Sequence, residues 1–172
     1  MRLRYPKTLV TGKPGVGKTT LIQTTIERMG PIKAAGFYTA EIRAKGVRVG
    51  FELVGLNGQH RTLAHVDISS QDRVGKYGVD TIGLDSYLQT LDPFHPDVEL
   101  LVIDEIGKME LFSHRFRNLV CDALASDRQV LASVALAGNG FIRTITRRPD
   151  IHLFEVTHFN RDGLPAAILE KL

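Results

Sequence analysis

The sequence predicts an α/β fold in three layers, with helices on both faces of a mostly parallel sheet and an antiparallel β-insert. Three observations carry that expectation. Segments patterned as strands alternate with segments of helical periodicity along most of the chain. Val98–Ile103 (V-E-L-L-V-I) is almost wholly apolar, as suits a strand buried on both faces. Gly12–Thr19 is rich in glycine and falls where a first strand gives way to a first helix.

Taken in order, Lys7–Thr11 reads as the first strand, ended by Gly12. Lys18–Met29 sets Leu21, Ile22 and Ile26 at helical spacing, and Gly30-Pro31 stops it. From Gly36 to about His65 the period becomes two. Val47, Val49, Phe51 and Leu53 alternate with Arg48, Gly50 and Glu52, so one face is expected to be buried and the other wet. Ala44-Lys45-Gly46 and Asn57-Gly58 read as turns, which makes this an insert of about three strands. After Val98–Ile103, Ser113 can cap a helix in which Phe116, Leu119, Val120, Ala123 and Leu124 share a face. Val130–Leu136 and His152–Thr157 read as strands. Between them Phe141, Ile142 and Ile145 mark a helix that stops before Pro149. Asp162 is expected to cap a last helix with Leu164, Ile168 and Leu172 on one stripe, Pro165 being tolerated in its first turn.

At 172 residues the chain has the length of one domain, and residues 1–172 are expected to form a single unit. With 43% hydrophobic and 24% charged residues it is neither disordered nor fibrous. One cysteine excludes an intramolecular disulfide framework and suits a reducing cytosol. No apolar run approaches the roughly 20 residues of a membrane span, and Met1–Lys7 lacks the apolar stretch of a signal peptide. A cytoplasmic protein is therefore expected. The net charge of +3 favours polyanions, nucleotides included, but is too small to argue for nucleic acid.

Gly12-Lys13-Pro14-Gly15-Val16-Gly17-Lys18-Thr19 fits G-x-x-x-x-G-K-[ST] in full. Such a loop turns backbone N–H groups onto phosphate oxygens, and the helix that follows adds its positive dipole end. Lys18 is expected to reach the β- and γ-phosphates and the Thr19 hydroxyl to ligate Mg²⁺. A loop of this kind needs an acidic residue at the end of a neighbouring strand. Asp104 follows Val98–Ile103, and Glu105 follows Asp104. Asp104 fits the metal, and Glu105 is then free to orient or deprotonate a water in line with the γ-phosphate. The expected nucleotide contacts are Gly12, Lys13, Pro14, Gly15, Val16, Gly17, Lys18, Thr19 and Thr20, with Asp104 and Glu105.

Together with Gly12–Ile22, the run Asp104-Glu105-Ile106-Gly107-Lys108-Met109-Glu110-Leu111 resembles the cancer-related nucleoside-triphosphatase family, whose bacterial and archaeal members are THEP-type NTPases. Gly36-Phe37-Tyr38-Thr39, Glu41-Ile42-Arg43, Arg48-Val49-Gly50-Phe51, Arg73–Tyr77 and Asn160-Arg161 match that family as well. The resemblance implies a RecA-like or AAA-like P-loop core and a monomer or weak oligomer. It also implies slow, base-tolerant hydrolysis of ATP, GTP and other NTPs to NDP and phosphate. Relatives often end the strand after the acidic pair with Gly-Thr. Here it reads Ala132-Ser133-Val134, so only Ser133 can substitute, and Leu136–Gly140 lacks the expected proline.

A further cation at the γ-phosphate is expected, with Lys108, three residues beyond Glu105, ahead of Arg43, Arg48 and Arg73. Asn160-Arg161 reads either as a contact to the base or as a turn. Dedicated guanine recognition is disfavoured because N-K-x-D is absent. The six histidines lack metal-ligand spacing, and Cys121 reads as a small core or boundary residue. Two other classes compete with hydrolysis. A kinase would need a second pocket and commonly an Arg-rich lid, and no clear lid is present. A nucleotide-dependent switch or nucleic-acid-associated protein would favour basic and aromatic clusters, which are also absent.

Overall fold

The computed structural model describes residues 6–138 and 140–172; Asn139, within the Leu136–Gly140 segment, and the first five residues lie outside them. The elements in chain order are β1 (Lys7–Gly12), α1 (Lys18–Met29), β2 (Ala34–Ala44), β3 (Val47–Gly55), β4 (His60–His65), β5 (Arg73–Val74), β6 (Tyr77–Val79), α2 (Thr81–Thr90), β7 (Leu100–Ile106), a 3-10 turn (Glu110–Phe112), α3 (His114–Ala125), β8 (Gln129–Ala135), α4 (Gly140–Thr146), β9 (Ile151–Glu155) and α5 (Leu164–Leu169). All the strands join one sheet ordered β5-β6-β4-β3-β2-β7-β8-β1-β9. The β2-β7-β8-β1-β9 part is parallel throughout, and the β3, β4, β6 and β5 extension is antiparallel.

Period-two alternation along the parallel strands sorts their side chains into two cores. Leu9, Leu101, Ile103, Val130 and Ala132 pack with Phe37, Leu84, Phe116 and Val120 on the α2–α3 face. Val10, Leu100, Val102 and Leu131 pack with Leu21, Ile22 and Ile168 on the α1–α5 face. The strands are apolar on both faces because both are covered by helices, which makes the three layers. Each fully buried Leu or Phe contributes about 1.5–3 kcal/mol.

Several expectations are corrected. The insert is not wholly antiparallel: β2 begins as a parallel partner of β7 and then pairs antiparallel with β3. The Lys45-Gly46 turn closes that hairpin with positive φ at both residues, 49° and 80°, so Ala44 lies opposite Val47. The insert also gains β5 and β6, while the helix α2 was not expected. Its cap is Asp80, which accepts from the Gly83 N–H at 2.8 Å. Ser113 caps α3 as expected, accepting from the Phe116 N–H at 2.8 Å. Asp162 does not cap α5; Gly163 stands at that position with no side-chain bond, and the Asp162 side chain is solvated. Leu172 lies past the end of α5 yet still packs against the α1–α5 core. Cys121 is exposed on the outer face of α3 rather than buried.

Candidate active site

Three neighbouring parallel strands end at one place. The Gly12–Gly17 loop follows β1, the acidic pair ends β7, and Ser133 sits on β8 between them. The acidic strand is thus not the immediate neighbour of β1, as the sequence suggested, but the next one over. Asp104 and Glu105 lie within β7 rather than after it.

The loop needs its glycines for two physical reasons. A Cβ on Gly12 would come within 2.7 Å of the Val156 carbonyl oxygen. Gly17 takes φ 107° at the N-cap of α1, a conformation that side chains other than hydrogen resist. With those two positions bare, the loop can turn directly into the helix that carries Lys18 and Thr19. Lys18 is nearly buried. Its Nζ donates to the Gly12 carbonyl at 3.0 Å and to that of Lys13 at 3.4 Å, and lies 3.5 Å from Glu105 Oε2.

On β7, Ile103 pairs with Ala132 and Ile106 with Val134, so Asp104 and Glu105 together oppose the single residue Ser133. That is a bulge, which re-aims side chains at a strand end. Asp104 is buried, and its two carboxyl oxygens have different partners. Thr19 Oγ1 donates to Oδ2 at 2.5 Å, and Ser133 Oγ donates to Oδ1. Burial pushes the Asp104 carboxyl above its ordinary range, the Ser133 and Thr19 hydroxyls pull it down, Glu105 raises it and Lys18 lowers it. Thr39 of β2 donates to the Asp104 carbonyl at 2.8 Å and anchors the bulge from the other side. Glu105, about one-third exposed, is left facing Lys18 and solvent.

A hydroxyl and a carboxylate oxygen in contact form a hard-oxygen pair of the kind Mg²⁺ uses when substrate phosphates and water complete its shell. Among the described residues no cluster of three or more His, Cys, Asp or Glu side chains could hold a metal by itself. Thr19 and Asp104 fit a Mg²⁺ that arrives with a triphosphate.

The remaining candidates separate. Lys108 is exposed in the turn after β7 and makes no bond with Lys18, Asp104 or Glu105 among the described residues. Arg43 and Arg48 are tied to the two oxygens of Glu41 at 2.6 and 2.9 Å, and Arg48 also donates to the Tyr77 hydroxyl. Arg73 donates to the Lys76 carbonyl. All three arginines are engaged within the insert. Asn160 makes the turn: its Oδ1 accepts from the Thr157 N–H and its Nδ2 donates to the Glu155 carbonyl. Arg161 does reach the glycine-rich loop, donating to the Val16 carbonyl at 3.3 Å. Sequence reasoning missed Thr39 and the bond from Ser133 to Asp104, because each depends on which strand lies beside which.

Strand order β2-β7-β8-β1-β9, with a G-x-x-x-x-G-K-T loop after β1 and a buried Asp bonded to the loop's Thr, places the fold among the P-loop NTPases. The profile of the family described as NTPase matches residues 7–169. The chain belongs to that family. It is 40% identical over 167 residues to the nucleoside-triphosphatase THEP1 of Thermotoga sp. (strain RQ2), covering 96% of this chain and 95% of that one. The crystal structure of THEP1 from the hyperthermophile Aquifex aeolicus superposes with a TM-score of 0.80 at 34% identity, over 95% of this chain and 97% of that one. The solution structure of a human cancer-related nucleoside triphosphatase does so with a TM-score of 0.78 at 34% identity, over 98% and 96%.

Proposed function

We propose that this chain hydrolyses nucleoside triphosphates to the diphosphate and phosphate in a Mg²⁺-dependent reaction, slowly and with tolerance of the base. One observation carries this reading: Lys18 Nζ stands 3.5 Å from Glu105 while Thr19 and Asp104 are bonded to each other beside it. A cation for the terminal phosphates, a metal pair and a separate solvent-facing carboxylate are thereby collected at one loop.

In the proposed reaction, loop N–H groups and the Lys18 ammonium hold the β- and γ-phosphates. The Mg²⁺ held by Thr19, and by Asp104 through water, would neutralise charge on the phosphate oxygens. Glu105 accepts a proton from water as the water oxygen bonds to the γ-phosphorus and the bond to the bridging oxygen breaks. Lys108, exposed in the turn after β7, is our candidate for a further cation. We read Arg161, which donates to the loop at the Val16 carbonyl, as the candidate to stand beside the base, and one arginine without an accompanying base-reading motif gives little selectivity. We read residues 1–172 as one domain, acting as a monomer or weak oligomer without nucleic acid. No helix among the described residues is long and apolar enough to cross a membrane, and we place the protein in the cytoplasm.

Phosphate release from Mg–ATP without any acceptor, by the parent and by Glu105→Gln, tests this. The parent should turn over, and the variant should lose about 10²-fold, the lower end of the 10²–10⁴ that general-base catalysis supplies. It should keep its affinity for a non-hydrolysable analogue. Parent-rate hydrolysis by Glu105→Gln, or label passing to a small acceptor instead of water, would overturn the reading.

A further inference from the structure

One carboxyl group in this region has no part in the reaction above. Glu110 opens the 3-10 turn after β7, and although it carries an ionisable group it is only 4% exposed. Its carboxyl accepts from the backbone N–H groups of Gly107 and of Glu110 itself, and among the described residues no lysine, arginine or histidine forms an ion pair with it. It also lies against the active site. The point where a Cβ on Gly107 would stand is 2.8 Å from Glu105 Oε1 and 3.0 Å from Glu110 Oε2. Gly107 thus leaves the space in which both carboxyl groups lie close to its Cα, and a side chain there would have to displace one or both of them.

Two carboxylates so close, one without water or a cation, do not share full ionisation. We propose that Glu110 is a positioning residue for hydrolysis: held neutral behind Glu105, it fixes the Gly107 turn that aims Glu105, and loss of its proton turns hydrolysis down. Burial, with Glu105 and Asp104 adding repulsion, pushes the Glu110 carboxyl up to about 8, against the pull of its two backbone N–H donors. At pH 7 the group is then largely protonated and the turn carries one negative charge fewer beside the triphosphate. The charged groups around it are few. Glu105 and Asp104 face it from β7, and Lys18 of α1 is spent on Glu105. Asp85 of α2 accepts from Ser113, and Arg117 of α3 donates to the Leu111 carbonyl.

The proposal rests on Glu105 being the group that receives the water's proton, and the test separates the two. The quantity read is kcat for Mg–ATP at pH 9 divided by kcat at pH 7, for the parent, Glu110→Gln and Glu110→Leu. The parent should fall about tenfold, as expected for an essential acid midway between those values. Both variants lack the titrating proton, so their ratio should stay within about twofold of one. Gln retains acceptors for the two N–H groups and Leu does not, so kcat at pH 7 should be higher in Gln than in Leu. If one variant does not fold by circular dichroism, the other reads the same ratio. A parent without the alkaline fall, or a folded variant that keeps it, overturns the proposal. Full activity in Glu105→Gln overturns the catalytic reading instead.

Discussion

Glu110 should also govern how stability depends on pH, through an effect that needs no substrate. The perturbation is Glu110→Gln, which keeps the shape and the acceptor for the Gly107 N–H but cannot ionise. In the folded protein the Glu110 carboxyl is raised from 4.5 to about 8. Between those values the native state holds a proton that the unfolded chain has released, so native stability falls as pH rises. At 1.36 kcal/mol per pK unit the full effect is on the order of 4–5 kcal/mol, lost across that window and constant above it. Between pH 6 and pH 8.5 the share is about 2.5 kcal/mol. Urea unfolding of both proteins at the two pH values measures it. The parent should lose about 2.5 kcal/mol more than Glu110→Gln over that interval, with equal m-values. Asp104 is raised by burial too and is present in both proteins, so only its repulsion with Glu110 enters the comparison. Gln brings an extra N–H donor that the carboxyl did not have, and leaving it unpaired would carry a pH-independent cost of about 1–3 kcal/mol, so the slope and not the absolute stability is diagnostic. Equal pH slopes in the two proteins would refute the buried, protonated Glu110.

Lys18→Ala should lose both hydrolysis and affinity for a non-hydrolysable ATP analogue, because its buried ammonium is turned onto the loop beside Glu105 whereas the loop's other lysine, Lys13, is exposed; unchanged affinity by calorimetry would remove Lys18 from the phosphate site. Ser133→Ala should raise the Mg²⁺ concentration needed for half-maximal turnover about tenfold or more, since a hydrogen bond to a charged group is worth about 1.5–3 kcal/mol and each 1.4 kcal/mol is about tenfold. Ser133→Thr should restore it, and a Mg²⁺ titration indistinguishable from the parent's in Ser133→Ala would show that the bond to Asp104 is idle. Metal-free buffer with EDTA should abolish turnover, and Mg²⁺ should restore it. The ratio of kcat/KM between any two of ATP, GTP, CTP and UTP should stay within about tenfold, roughly 1.4 kcal/mol; a several-hundredfold preference would reveal a base pocket around Arg161.

What the sequence carried, and what it did not, follows from how each feature is encoded. The loop is one uninterrupted string from Gly12 to Thr19, and the acidic pair is two adjacent residues at the end of an apolar run, so both could be read without knowing any contact. The three-layer arrangement was legible from apolar runs and helical stripes for the same reason. Helix α2 was not. Thr81, Gly83, Ser86 and Thr90 are weak helix formers, and the helix holds because Leu84, Tyr87 and Leu88 are buried against the sheet. Asp162 was expected as a cap from residue type alone. The chain instead enters α5 from the turn made by Asn160, whose side-chain bonds to Thr157 and Glu155 fix the approach, so Gly163 arrives at the cap position.

Ser133 shows why topology had to be seen before the site could be understood. With β8 between β7 and β1, Asp104 on β7 and Thr19 in the first turn of α1 meet beside β8. The Ser133 side chain, on the intervening strand at that level, meets the same carboxyl at its other oxygen. It must be short enough not to part the Thr19–Asp104 contact, and polar enough to satisfy the carboxyl oxygen that Thr19 does not reach. Ser133 is fully buried and donates to that oxygen. The bulge supplies the other half of the arrangement, because two residues of β7 facing one of β8 cannot both keep the regular alternation of a strand. Asp104 turns to the two hydroxyls while Glu105 is left facing Lys18 and solvent. Two adjacent carboxylates thus acquire different surroundings from one irregularity in strand pairing, and in the proposed reaction that difference assigns one to the metal and the other to the water.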